Sequence, residues 1–166
     1  MLNYKTKPND FSTTVSITAS SEFTEATEIE WGEISKDGVD EALYLKNLDM
    51  KLLEKIAANL QSAVDEEAKE EQENPEIVLT EGWTRIFNKK QYKAVVDMGK
   101  LAMKPLYWIL YKSENNGQYE YLCAMALQKI SKITFEDEET GAMGWETAKE
   151  YLDLFTKEII KQSDQR

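Results

Sequence analysis

The residues of this sequence that could do chemistry are mainly carboxylates. Glu136, Asp137, Glu138 and Glu139 lie in one polar stretch, and carboxylate oxygens are the ligands that a hard cation such as calcium prefers. The stretch lacks the alternating Asp or Asn spacing and the central glycine of a helix-loop-helix calcium loop. A hydrated acidic loop is therefore the favoured interpretation, and no metal site is predicted.

Nucleophilic and acid–base catalysis have little support in the residue types. The chain has no histidine, and it has no Cys-x-x-Cys pair, phosphate-binding glycine loop or Gly-x-Ser-x-Gly motif. Its single cysteine, Cys123, lies in an apolar run and has no histidine to activate it, so we predict a small core residue. We predict a non-enzymatic protein with no catalytic residue and no cofactor. An enzyme that uses carboxylates and a metal is the weaker alternative, because acidic helices supply carboxylate pairs by chance.

Lysines and aromatic residues together form the candidate binding surface. Residues 81–130 carry eight basic and four acidic side chains. Four of these lysines recur at intervals of four, seven and four residues, so one continuous helix would align them as a stripe. The aromatic and aliphatic positions of 106–111 cannot all face inward, so some aromatic surface should be exposed, as in a protein interface. The predicted interaction surface consists of Lys89, Lys93, Lys100, Lys104, Tyr107, Trp108 and Tyr111.

Simpler interpretations of the same residues remain open. The lysines could form a solvated face, or they could neutralise the acidic N-terminal segment or the long acidic helix of the same chain. The aromatic residues could belong to the core or be covered by the N-terminal segment. Trp31, Trp83 and Trp145 are also expected in the core, since tryptophan buries a large apolar area.

The net charge of −11 restricts the class of partner. It repels phosphate backbones and anionic membrane surfaces, so another protein is the expected partner and nucleic acid is not. The acidic run from Asp65 to Glu73 is either a solvated face or a binding surface for a basic protein. The alternative function is therefore an acidic immunity-type or nucleic-acid-mimic inhibitor of a basic toxin or nuclease.

Several sequence features bear on the cellular compartment. No run reaches about 18 apolar residues, so no membrane span is predicted. The opening MLNYKTKPNDF has no basic region followed by an apolar one, so a signal peptide is not expected. A lone cysteine cannot form an internal disulfide, so nothing indicates an oxidising compartment. We expect a cytoplasmic protein.

The chain is predicted to divide into an arm and a single helical domain. Residues 1–37, rich in Ser, Thr and Glu, are predicted to be an extended or partly disordered arm. A short strand-like alternation at 13–18 has no identifiable partner. Residues 38–166 are predicted to form one domain of four to six helices, so the fold class is all-α, a compact helical bundle or short α-α array.

Apolar spacing predicts a helix at 40–73, one from 89 to about 99, and a second one with Pro105 in its first turn that ends at the turn SENNG. Further helices are predicted at about 118–131 and about 145–161. Asp49 could cap a separate helix, or the first helix could run through it. The acidic end of the first helix opposes the macrodipole, so fraying is expected there. Residues 77–87 are predicted to be a loop or short helix that seats Trp83 and Phe87 on the core, and 134–144 to be a loop.

One segment, 98–130, resembles a unit of a HEAT-type helical repeat. The likeness lies in two helical runs around a polar turn: Gly99, Ala102, Pro105, Leu106, Ile109 and Leu110, then Ala124, Ala126, Leu127 and Ile130. The usual Asp and Val-Arg pair at the turn is replaced by NNGQYEYL. Because such units normally stack in series, other helices would have to cap this one. The resemblance implies a compact, atypical member of the class with a HEAT-like hairpin at 89–131.

These expectations combine into one leading function hypothesis. HEAT-like units mostly serve as protein-binding scaffolds, although a fold does not fix a function. We therefore predict a protein–protein interaction module, with a regulatory role as one option, that binds through the helical surface of 89–111.

Overall fold

The computed structural model describes residues 17–20 and 29–165, which are mostly helical. This confirms the predicted all-α class. The helices of the described part are α1 (Glu41–Lys46), α2 (Met50–Glu73), α3 (Ile77–Glu81), α4 (Lys90–Asp97), α5 (Met103–Lys112), α6 (Gln118–Ser131) and α7 (Ala148–Asp164). Two 3-10 helices lie at Trp83–Asn88 and Gly99–Ala102. The short strands are β1 (Ile17–Ser20), β2 (Ile34–Ser35), β3 (Gly38–Val39) and β4 (Thr134–Asp137).

Side-chain caps separate α1 from α2. Asp40 accepts a hydrogen bond from the backbone N–H of Leu43 at 3.1 Å, and Asp49 accepts one from Leu52 at 3.0 Å. Each carboxylate satisfies an N–H that has no partner inside its helix. Of the two alternatives for residues 40–73, the structure shows a short α1 followed by a new helix that begins after Asp49.

The four lysines do not align as a stripe, because the helix that would have to carry them is not continuous. Helix α4 ends at Asp97, and Gly99 adopts a φ of +64°, a conformation that side chains disfavour. A 3-10 helix then leads into α5, in whose first turn Pro105 lies, as its missing N–H allows. Lysines before and after the break therefore belong to different helices.

Helix α5 is the centre of the core. Its buried side chains lie on most of its circumference: Met103, Pro105, Leu106, Tyr107, Trp108 and Leu110. Helices α2, α6 and α7 all pack against it. A helix that is apolar on nearly all sides must be enclosed on nearly all sides, which is why the other long helices surround it.

Helix α7 also caps the C-terminal end of α5. The Lys149 ammonium donates hydrogen bonds to the carbonyl oxygens of Leu110, at 2.6 Å, and Ser113. These carbonyls lie where α5 has no further N–H to offer, and a cation there also suits the helix dipole. Burial lowers the pKa of Lys149 despite nearby carboxylates such as Glu120.

A small two-stranded sheet differs from the sequence predictions. Strand β4 lies in the stretch predicted to be a loop, and β1 pairs with it in antiparallel register, Ile17 opposite Asp137 and Ser20 opposite Thr134. A chain segment far along the sequence supplies this pairing, so local pattern could not reveal it. The remainder of the predicted alternation at 13–18 lies outside the described residues.

Residues 29–37 of the predicted arm are packed on the core. Strands β2 and β3 form a hairpin, in which Gly38 has a φ of +122°, and the side chains of Trp31, Ile34 and Val39 are buried. We call residues 29–39 the N-terminal strap. Residues 1–16 and 21–28 of the predicted arm lie outside the described residues.

Two further predictions concern Cys123 and the membrane. Cys123 is fully buried, as predicted, and burial raises the pKa of its thiol. Among the described helices, none has both the length and the apolar character needed to cross a bilayer.

The Asp49 cap gives a testable prediction for the fold. Replacing Asp49 with alanine removes the acceptor for Leu52 N–H, and we expect the free energy of unfolding to fall by about 1 kcal/mol. Asp49→Asn keeps a side-chain acceptor and should change the free energy of unfolding by only about a few tenths of a kcal/mol. Urea denaturation followed by circular dichroism measures both. Equal stability of the two variants would contradict a capping role.

Candidate functional site

The seven residues of the predicted interaction surface do not form one exposed surface. Lys93 and Lys100 are exposed, but the side chains of Lys89 and Lys104 are mostly buried against carboxylates. Tyr107 is fully buried, so its predicted place on an exposed surface is wrong. The cause lies in elements distant in sequence that cover α5.

Lys104 is held by the N-terminal strap. Its ammonium lies 2.6 Å from both carboxylate oxygens of Glu33 and 5.5 Å and 5.2 Å from the ring centroids of Trp31 and Tyr44. Asn47 donates a further hydrogen bond to Glu33 at 2.9 Å. Carboxylates and the faces of aromatic rings both attract a cation, so the Glu33–Lys104 pair holds the strap against α5.

The environment of Glu33 favours its charged form. Burial by itself would raise the pKa of this carboxyl, but hydrogen bonds from Lys104 and Asn47 and the charge of Lys104 outweigh it. The pKa of Glu33 is therefore lowered from its ordinary value of 4.5. Glu33 is ionised at neutral pH and acts as the counter-ion of Lys104.

The aromatic residues of α5 are core residues with satisfied polar atoms. The Tyr107 hydroxyl shares a 2.8 Å hydrogen bond with Thr156, and the Trp108 ring stacks on Tyr44 with 5.1 Å between centroids. Trp108 is 8% exposed, so its predicted exposure is also wrong. Tyr111 is half-buried and donates to Glu41 at 3.0 Å. The strap and α1 thus cover the aromatic surface that we predicted for a partner, which was one of the two alternatives.

The remaining lysine, Lys89, neutralises the acidic half of α2. Its ammonium lies 2.6 Å from Glu70 and 3.2 Å from Glu66, and the Arg85 guanidinium donates to Glu67 and Glu70. Hydrogen bonds from Lys89 and then Arg85 lower the pKa of Glu70. Neutralisation within the chain is the interpretation that the structure supports for Lys89. These ion pairs also offset the unfavourable position of the acidic side chains near the C-terminal end of α2, which ends at Glu73.

An open cleft of about 820 Å³ lies beside the strap. Three of its four acidic lining residues have side-chain partners: Glu33 binds Lys104, Asp40 caps α1, and Glu41 binds Lys112 at 3.2 Å. The fourth, Asp37, donates its backbone N–H to the Ser35 hydroxyl at 3.2 Å. Nowhere in residues 17–20 and 29–165 do three or more potential ligands converge as a metal site would need. At the predicted acidic loop, the Asp137 carboxylate accepts hydrogen bonds from the backbone N–H groups of Glu139 and Thr140 and so stabilises the turn.

An exposed apolar surface lies at α3 and the following 3-10 helix. Leu79 is 87% exposed and Trp83 is 57% exposed. The Trp83 ring contacts Phe87 and Tyr121, with centroids 5.9 Å and 5.8 Å away. The ring is thus held in place while more than half of the side chain faces solvent. We call Leu79 and Trp83 the Trp83 surface.

The Trp83 surface was missed by the sequence analysis, which placed Trp83 on the core. Helix α3 has only five residues and none of them is buried. It ends at Gly82, whose φ of +79° redirects the chain immediately before Trp83. The signal available in the sequence was this glycine between two apolar patches, together with a stretch too short to form a complete amphipathic face.

The Glu33–Lys104 pair yields a prediction about stability. Lys104→Met leaves Glu33 buried without a cation and should lower the free energy of unfolding by about 3 kcal/mol. The double variant Glu33→Gln, Lys104→Met has no buried charge at this place and should be more stable than Lys104→Met alone. Urea titration of the wild type, both single variants and the double variant measures the coupling. Additive effects would show that the two groups are independent.

The lowered pKa of Glu33 yields a prediction about pH. The contribution of a carboxyl with a lowered pKa is complete above its unfolded value and is lost as the pH falls through the folded value. We therefore expect the unfolding free energy of the wild type to fall more steeply between about pH 5 and about pH 3 than that of Glu33→Gln. Parallel pH profiles for the two proteins would rule out this contribution.

Comparison with known proteins adds no functional information. No protein-family model, no curated protein and no solved structure matches the chain. The case for a function therefore rests on the residues that the structure brings to the surface.

Proposed function

We propose that this protein is a non-enzymatic protein–protein interaction module with a regulatory role. The observation that carries the proposal is the Trp83 surface, where a leucine and a tryptophan four residues apart are exposed and the tryptophan ring is held by aromatic contacts. Tryptophan is the residue type most often responsible for binding energy in interfaces, because its large rigid side chain loses little conformational entropy.

This proposal moves the binding surface from 89–111 to 79–83. Within the earlier range, Tyr107 and Trp108 are buried and Lys89 and Lys104 bind carboxylates of the same chain. A partner would have to displace the strap to reach those aromatic rings. The Trp83 ring is accessible without any rearrangement, which makes it the more economical docking position.

A HEAT-type helical unit is part of the proposal, as the scaffold behind this surface. Helices α5 and α6 pack against each other across the turn at 113–117, which is the arrangement expected of such a unit. Tyr121 of α6 contacts the Trp83 ring and so links the hairpin to the exposed surface. We place the module in the cytoplasm, because its single cysteine is a buried thiol with no disulfide to form.

The second candidate function is an acidic inhibitor of a basic toxin or nuclease. The net charge of −11 supports it and disfavours nucleic acid as a ligand. The ion pairs of Glu67 and Glu70 weaken it, because these carboxylates already have cations within the chain. Trp83 and salt together separate the candidates. Salt screens the attraction between exposed charges over about 10 Å at 0.1 M, so both complexes would weaken, but only the interaction module would require Trp83.

The Trp83 surface predicts the outcome of an affinity capture. Tagged wild type, Trp83→Ala, Leu79→Ala and Leu101→Ala are used to capture proteins from an extract of the native cells. Leu101 is 69% exposed and lies on a different helix, so Leu101→Ala is the matched control. We expect a specific partner to be retained by the wild type and Leu101→Ala, and its recovery to fall at least about tenfold for Trp83→Ala.

Two outcomes would count against the proposal. Equal recovery of the partner by Trp83→Ala and the wild type would place the interface elsewhere. A complex that survives Trp83→Ala but dissociates in high salt would favour the acidic inhibitor. Circular dichroism of each variant establishes that the protein is still folded.

A further inference from the structure

Every charged residue of the segment 70–84, which lies between Lys69 and Arg85, is acidic. Residues 70–84, EEQENPEIVLTEGWT, contain five glutamates and neither lysine nor arginine. This acidic corner includes the end of α2, all of α3 and the exposed side chains of Leu79 and Trp83. An apolar contact surface here lies inside a negative field.

The glutamates of the acidic corner differ in their availability. Glu70 is bound by Lys89 and Arg85, and Glu81 lies 3.4 Å from the Arg85 side chain. Glu71, Glu73 and Glu76 are exposed, and none of them forms an ion pair with any residue that the structure describes. The Arg85 side chain is 13% exposed, so it offers little positive charge to a partner. The corner therefore presents unpaired negative charge beside the tryptophan.

Given the proposed function, on which this step rests, we infer that the occupant of the Trp83 surface is a basic amphipathic segment of another protein. Its apolar side chains pack on Trp83 and Leu79, and its lysine or arginine side chains face Glu71, Glu73 and Glu76. A cation placed over the exposed face of Trp83 adds a cation–π contact. Opposite charge around an apolar centre is the pattern that gives a partner both affinity and a fast encounter.

A second copy of this chain fits the same surface poorly. In a two-fold dimer each protomer uses the same patch, so one acidic corner would face the other. Glu71, Glu73 and Glu76 on each side, which form no ion pair with any described residue, would repel each other at short range. An acidic peptide and a phosphate-bearing ligand are disfavoured for the same reason.

The test uses the full chain and three synthetic peptides of equal length. The first is an amphipathic peptide of lysine and leucine, the second replaces every lysine with glutamate, and the third replaces every leucine with serine. Isothermal titration calorimetry at low and high salt measures binding. We expect only the first peptide to bind, and its affinity to fall with added salt.

Two triple variants separate the local charge from the net charge. Glu71→Gln, Glu73→Gln, Glu76→Gln neutralises the acidic corner, whereas Glu136→Gln, Glu138→Gln, Glu139→Gln makes the same change in net charge at another exposed stretch. We expect the first triple variant, and Trp83→Ala, to weaken binding of the lysine–leucine peptide by about tenfold or more. The second triple variant should bind nearly as the wild type does.

Four results would overturn the inference. They are equal binding of the lysine and glutamate peptides, equal effects of the two triple variants, no binding by any peptide, and a dimer in sedimentation that Trp83→Ala dissociates. Capture of the native partner distinguishes failure of this inference from failure of the proposed function. If Trp83→Ala releases the captured protein and the first triple variant does not, the interaction module stands and the basic partner is wrong.

Discussion

The enclosure of α5 is the constraint on which the rest of the structure depends. This helix carries large apolar and aromatic side chains around most of its surface, so each side must find a covering element. Helices α2, α6 and α7 cover three directions, and the strap supplies Trp31, whose ring lies 5.7 Å from Tyr107 and 5.6 Å from Phe155. The hydroxyl groups buried with these rings are all engaged: Tyr44 donates to the carbonyl of Lys104, and Tyr107 pairs with Thr156. Aromatic area is thereby buried without leaving unpaired polar atoms.

Charge in this protein is used mainly to fasten covering segments onto the core. Lys104 fastens the strap through Glu33, and Arg85 and Lys89 fasten the segment 83–91 to α2 through Glu67 and Glu70. In both places a mostly buried cation meets a carboxylate on a segment distant in sequence. Such pairs are weak sources of stability, since desolvation offsets their attraction, but removing one partner leaves a buried charge. They therefore fix where the segments lie.

Because these cations bind carboxylates within the fold, they determine which charges remain at the surface. Arg85 and Lys89 face α2, so the adjoining corner retains its glutamates and loses its local positive charge. Helix α3 is too short to bury its own apolar side chains, and Gly82 turns the chain so that the Trp83 ring rests on Tyr121. An anchored, half-exposed tryptophan next to unpaired glutamates is the basis of the proposed interaction with a protein of opposite charge. The proposed interaction and its basic partner follow from the same packing that stabilises the fold.

The sequence by itself determined the helical class, the turn at 113–117 and the burial of Cys123, and it offered Asp49 as one of two alternatives for the start of α2. These are local properties, since apolar spacing and capping chemistry act within a few residues. Only the tertiary structure decided that Tyr107 and Trp108 are covered, that Lys89 and Lys104 are paired, and that β1 finds its partner in β4. Each of these outcomes joins segments far apart in the chain, and a single sequence carries no record of such pairings. The exposure of Trp83 was decided in the same way, because a tryptophan has the same local pattern whether the core accepts it or leaves it at the surface.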